Sequence, residues 1–193
     1  DLMIAVVLVV FVTFFFLLSW RATFIVMLAI PTSVIATFAA FAAFDFTLNF
    51  MTLLALTVAI GLLVDDAIVV VEAVQSDVDE GADPMEAAPI ATKRVALAVL
   101  AGTFATLAVF VPIAFMEGIV GRFFFQYGLA IVFSVSVSLL VALTLSPMLA
   151  SRFLKSEKEK AGWLGKIETF HENMRKRYEK LVGWSIRRRY LVF

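Results

Sequence analysis

The 193-residue chain is 62% hydrophobic and only 17% charged, with a mean hydropathy of +0.99, against about 45–50% apolar residues in a soluble domain. Sixteen basic and sixteen acidic residues cancel, which leaves no basis for nucleic-acid binding. With no cysteine and a single histidine, His171, the chain excludes disulfides, thiolate metal sites and a histidine metal cluster of its own.

The chain starts at Asp1, with neither Met nor a basic n-region, and runs straight into apolar sequence. A secretory signal peptide needs a basic start and a small-residue cleavage site, so the start reads as a cut through a longer protein. Five apolar runs follow, at about 2–18, 24–44, 50–71, 95–115 and 123–150. The fold class expected is an all-α membrane protein, a bundle of five transmembrane helices over residues 1–151. The first run is short, and the last is long enough to tilt or to project from the bilayer.

Five spans fix a parity for the loops. Residues 19–23, 72–94 and 151–189 fall on one side, and residues 45–49 and 116–122 on the other. The first side carries Arg21, Lys93, Arg94 and all basic residues from Arg152 to Arg189, whereas the second carries only Arg122. Basic residues concentrate in cytoplasmic loops, and acids weigh little in that rule. The first side is therefore expected to be cytoplasmic, despite the acidic stretch from Asp77 to Glu86.

Pro31, Pro112 and Pro147 lie inside or near the ends of spans. Each removes an N–H and crowds the carbonyl four residues back, which gives a packing kink or a hinge. Phe14-Phe15-Phe16 and Phe123-Phe124-Phe125 read as lipid-facing or as marks of a span end. Asp45, Glu72, Glu117 and Arg122 sit at span ends and are expected to be solvated.

Residues 152–189 change character. Trp163, Ile167, Phe170, Met174, Tyr178 and Leu181 repeat at spacings of three and four among Lys, Glu and Arg. This predicts an amphipathic connector helix lying in the cytoplasmic interface, its stripe in the membrane lipids. His171 is one place off the stripe and reads as a solvated residue. Arg187-Arg188-Arg189 then precede Tyr190, and residues 190–193 read as the start of a further span.

One stretch does not fit a purely structural membrane helix. Asp65 and Asp66 stand side by side in the third run, which holds thirteen Leu, Ile, Phe and Val between Phe50 and Val71. Those contribute roughly −4 to −8 kcal/mol to insertion, while two mid-membrane Asp add about +5 to +7. The balance is near zero, so the helix needs neighbours. Thr57, Gly61 and Asp65 share a stripe at i, i+4 and i+8, and its small residues suit close packing of another helix around the acids. The pair is therefore expected to face the bundle interior.

Two carboxylates this close in low dielectric disfavour joint ionisation and titrate as a unit. Intramembrane acids are functional by default, and proton coupling is the reading the residues favour. The alternatives are a protonated, hydrogen-bonded lock between helices, or the start of a hard-cation site. No other intramembrane ionised ligand exists for a metal, and no Lys or Arg lies within the five spans. Either the pair stays partly protonated or its cation comes from a helix outside the chain. The absence of a nucleophile, metal cluster or phosphate loop argues against an enzyme, and no cofactor is expected.

Gly61 to Glu72, GLLVDDAIVVVE, resembles the fourth transmembrane helix of the resistance–nodulation–division (RND) efflux transporters. The resemblance continues through Trp20-Arg21-Ala22-Thr23, Ala29-Ile30-Pro31, Phe46-Thr47-Leu48-Asn49 and Met51-Thr52-Leu53-Leu54-Ala55. It extends to Val109-Phe110-Val111-Pro112, to residues 118–124 (GIVGRFF) and to residues 143–150 (LTLSPMLA). It implies a proton-driven exporter of the Gram-negative inner membrane, with Asp65 and Asp66 as proton-relay residues. It further implies a homotrimer, a periplasmic adaptor, an outer-membrane channel and a lysine on a helix of the family's second half. The paired Asp resembles the drug-exporting branch more than the metal-exporting one. Ala73 departs from the Asn that many members carry after the Glu. A lipid- or protein-translocating member of the superfamily, or a membrane scaffold that transports nothing, would fit the same helices.

Overall fold

The computed structural model describes residues 2–156 and, beyond them, Met174, Arg177, Tyr178 and Val182. The chain divides into two compact units, Asp1–Ser156 and Glu157–Phe193. The first consists of five helices: α1 Leu2–Leu17, α2 Trp20–Ala43, α3 Phe50–Asp79, α4 Pro84–Ala114 and α5 Gly118–Phe153. Helices are the expected solution in lipid, because they satisfy every backbone polar group within one segment.

Four of these helices, α2 to α5, are long and apolar enough to cross a membrane. The 16 residues of α1 reach only about 24 Å. The expected all-α membrane bundle is therefore observed.

Helices α2 to α5 each overrun their apolar runs at one end or both, and side-chain caps rather than hydropathy set the starts of α2 and α4. Ser19 caps α2, its hydroxyl accepting from the Ala22 N–H at 3.4 Å. The expected loop at 19–23 thus shrinks to Leu18 and Ser19. Asp83 caps α4, its carboxylate accepting from the Met85 N–H at 3.1 Å, and Pro84 fills the first helical position, where a missing N–H costs nothing. The expected loop at 72–94 is accordingly a helical hairpin with a short tip at Glu80–Asp83. Arg94 of α4 and Asp77 of α3 pair across that hairpin at 2.7 Å. On the opposite side, Asn49 caps α3 in a capping box with Thr52. The Asn49 amide also touches the Gln126 side chain of α5.

The core is built on α5, which packs against α2, α3 and α4. Its buried face is a ladder of small residues, Ala130, Ser134, Ser138, Ala142, Ser146 and Ala150, at four-residue spacing. Such a stripe lets neighbouring backbones approach closely, which drives helix association where lipid is as apolar as any side chain. On α3, Ala55 packs in one cluster with Ala130 and Ala67 in another with Ala142. α2, α4 and α5 run through Pro31, Pro112 and Pro147 without a break.

The turn between α4 and α5 is tight. Gly118 adopts a φ of +86°, and a Cβ on Gly121 would overlap the Met116 carbonyl. A Cβ on Gly128 would lie 2.8 Å from the Ala114 Cβ and 2.9 Å from its backbone nitrogen. Around this turn the phenylalanines interlock. Phe44 stacks on Phe133 at 4.8 Å, and Phe46 stacks on Phe125 at 6.2 Å. Phe125 thus belongs to an aromatic cluster that also holds Phe115, and Phe123, Phe124 and Phe125 are all exposed, as expected. Phe16 is exposed as expected, but Phe14 meets Trp20 edge-on at 6.2 Å.

The connector expected at 152–189 lies outside the described residues, apart from the end of α5 and the four positions named above. Trp163, Ile167, Phe170, His171 and Leu181 fall there too, as do residues 190–193. Met174 and Tyr178 are helical and exposed.

The Gly128 contact is open to a direct test. Gly128→Val is expected to push α4 from α5 and lower stability by about 1–3 kcal/mol, the usual cost of overpacking, with Gly128→Ala falling in between. A thermal melt of the purified protein checks the order, and an unchanged midpoint for Gly128→Val would show that the helices do not meet there.

Candidate functional site

Asp65 and Asp66 lie midway along α3, and the packing of that helix decides what each can reach. The core face of α3 runs through Ala59, Ile60, Leu63, Val64, Ala67, Val70 and Val71. Adjacent residues on a helix diverge by about 100°, so the two aspartates leave that face at different angles. Asp66 is half-buried beside α4, whereas Asp65 is exposed.

The expected interior orientation is not what the five helices give. Thr57 is half-buried, Gly61 is exposed, and nothing lies within 4 Å of where a Gly61 Cβ would sit. The stripe of Thr57, Gly61 and Asp65 therefore faces the open side of α3, and no described helix packs on it. The physical reason is that α5 takes the Ala-rich face instead, where its own small ladder can interlock. The Thr57 hydroxyl turns back to donate to the Leu53 carbonyl at 2.9 Å.

Two hydroxyls from neighbouring helices hold the acidic turn in place. The Thr103 hydroxyl of α4, itself buried, lies 3.1 Å from Asp66 Oδ2 and 3.0 Å from the Val99 carbonyl. One hydroxyl can serve both protonation states of Asp66. It donates to the carboxylate, or it accepts the acid's proton while donating its own to Val99. On the other flank, the buried Ser138 hydroxyl of α5 donates to the Leu63 carbonyl at 2.6 Å.

Neither hydroxyl emerged from the sequence. A lone Thr or Ser in an apolar helix normally bonds its own backbone, as Ser134 does to Ala130 at 2.7 Å. The only available signal was four-residue spacing, Thr103 following Val99 and Ser138 following Ser134.

Among the described residues, no lysine or arginine pairs with either aspartate. Nor does any group of three Asp, Glu, His or Cys gather there that could hold a metal. Asp45, Glu72, Glu117 and Arg122 are all exposed, at the places where solvation was expected, and none joins the aspartates. What the arrangement offers is one carboxyl with a hydroxyl partner and a second turned to an uncovered face.

A model of the AcrB/AcrD/AcrF family matches residues 1–193. The chain belongs to this family of RND transporters. Among curated RND relatives, it is 46% identical over 160 residues to the multidrug resistance protein MdtC of Photorhabdus laumondii, covering 83% of this chain and 15% of that protein. MdtC of Pectobacterium atrosepticum is 44% identical over 156 residues, covering 81% of this chain and 15% of that protein. An uncharacterised transporter of Haemophilus influenzae is 43% identical over 178 residues, covering 88% and 17%. The chain thus spans about 15% of the length of the curated relatives it matches.

The Thr103 contact can be tested without any transport assay. Thr103→Val keeps the shape but removes the hydroxyl. It is expected to change stability by no more than about 1.5 kcal/mol and to shift the carboxyl stretching band of Asp66 in infrared spectra. Thr103→Ser should leave the band in place. An unmoved band in the valine variant would mean that this hydroxyl does not bond Asp66 in the membrane.

Proposed function

We propose that this chain is the proton-coupling membrane part of a multidrug secondary exporter, with Asp65 and Asp66 as its proton carriers. The observation that carries the reading is the pair itself. Two acids sit mid-span on a helix whose insertion they nearly cancel, one bonded to Thr103 and the other on an open face. Acids at that depth are retained where they move charge or bind a counter-ion. Family membership and the multidrug resistance names of the MdtC relatives support efflux rather than another cargo.

In this reading the open face of α3 is covered in the whole transporter by a helix that supplies a lysine. Proton binding neutralises the pair and weakens its attraction to that cation, while release restores it. The electrical part of the driving force is worth about 2.3 kcal/mol per charge per 100 mV. Thr103 stays bonded to Asp66 in both states and holds the acid in register. Thr57 and Gly61 give the covering helix room to approach. The protein would reside in the inner membrane of a Gram-negative cell as a homotrimer, working with a periplasmic adaptor and an outer-membrane channel.

The test is made in the full-length transporter. Asp65→Asn and Asp66→Asn are each expected to abolish drug export while membrane expression stays normal, read by dye efflux from whole cells. Wild-type export by either variant sinks the proposal. A different pattern, in which both Asn variants export and Asp→Leu variants fail to fold, would make the pair a structural lock.

A further inference from the structure

A second feature lies on the basic side of the bundle, apart from the aspartates. Trp20, Arg21, Phe24, Arg152, Phe153 and Lys155 line a recess of about 370 Å³ between the start of α2 and the end of α5. The residues come from positions more than a hundred apart in sequence, and packing brings them together. Ala22, Ile25 and Val26 of α2 share one buried cluster with Ala150 and Leu154 at the end of α5. Pressing those faces together leaves Arg21 on one wall and Arg152 and Lys155 on the other.

Among the described residues, the lining of the recess holds three cations and no carboxylate. Among the described residues, none of the three forms an ion pair, and the one carboxylate in hydrogen-bond contact with Gln75, that of Asp79, does not line it. Like charges gathered this way repel unless an anion joins them. Two guanidinium groups and an ammonium suit a phosphate, which accepts forked hydrogen bonds from arginine and a point charge from lysine.

The remaining walls are aromatic. Trp20 is 69% exposed and Phe153 50% exposed, positions that a soluble anion would leave wet but that hydrocarbon would cover. The basic bias places this end of the bundle at the cytoplasmic surface, where the leaflet is anionic.

We propose that this recess binds the headgroup of an anionic phospholipid of the cytoplasmic leaflet. Arg21, Arg152 and Lys155 hold the phosphate, and Trp20, Phe24 and Phe153 line the path of the acyl chains. A lipid seated there bridges the first turn of α2 to the last turn of α5.

Native mass spectrometry of the whole transporter in detergent tests this, with cardiolipin and phosphatidylethanolamine as probes. The wild type is expected to prefer cardiolipin. The triple variant Arg21→Gln/Arg152→Gln/Lys155→Gln should lose on the order of a hundredfold of that preference, since each basic residue near an anionic surface is worth roughly fivefold. Arg21→Gln alone, which is less exposed to misfolding, should lose about fivefold. The double variant Lys93→Gln/Arg94→Gln removes charge from the same side but away from the recess, and should bind as the wild type does. The proposal is overturned if the wild type shows no preference, if Arg21→Gln changes nothing, or if the control variant loses as much as the triple.

Discussion

The whole bundle depends on how closely α5 can approach its neighbours. In hydrocarbon the helices gain nothing by hiding apolar side chains from lipid, so association has to come from backbone proximity and from polar contacts between helices. The ladder from Ala130 to Ala150 supplies the first, and the Ser138 bond to the Leu63 carbonyl supplies the second. That carbonyl lies one turn before Ala67 on α3, so the contact falls at the level of the aspartates. The surface that builds the core and the turn that bears the acids are thereby fixed to each other.

This arrangement explains why α3 can hold two acids that nearly cancel its insertion energy. Neighbours on one side compensate with small-residue packing, a hydroxyl for Asp66 and caps at the helix start. The acids occupy the side that packing does not need. Had the aspartates been turned into the five-helix core, they would have displaced the face on which Ala59 and Leu63 pack with Val6, Val9 and Val34 and Ala67 packs with Ala29 and Ala142. The same geometry leaves Thr57, Gly61 and Asp65 uncovered, a stripe of low bulk with an acid at its end.

Much of this was legible in the residues, and the misses share a cause. Apolar runs located all five helices and the Asp pair, because both are signals of composition. Reading hydropathy before caps misplaces the starts of α2 and α4, which Ser19 and Asp83-Pro84 mark, whereas α3 starts at Phe50, after its Asn49 cap, as the apolar run has it. The direction of the Thr57 stripe was not legible. Small residues mark a face fit for close approach, but α3 has two such faces, and only the partner ladder on α5 decides which one is used. Thr103 was hidden for a related reason, since its contact joins residues 37 apart and leaves no local pattern.

The distribution of restraints along α3 bears on how a relay could act. Its N-terminal end is capped by Asn49, which also touches Gln126. Its C-terminal extension is tied by Asp77 to Arg94 and by Gln75 to the Lys155 carbonyl. Its middle is held by Ser138 and, through Asp66, by Thr103. The helix is thus held from end to end by its neighbours, and no described helix packs on the flank that carries Thr57, Gly61 and Asp65. Under the proposed relay, a change of charge at Asp65 does little to move α3 within its own bundle, because that would break the Ser138 bond and open the α5 ladder. The cheaper response is a movement of whatever covers the open flank, where no packing has to be undone. The five helices then work as a rigid frame that presents a titrating group, and the displacement occurs in the partner that reads it.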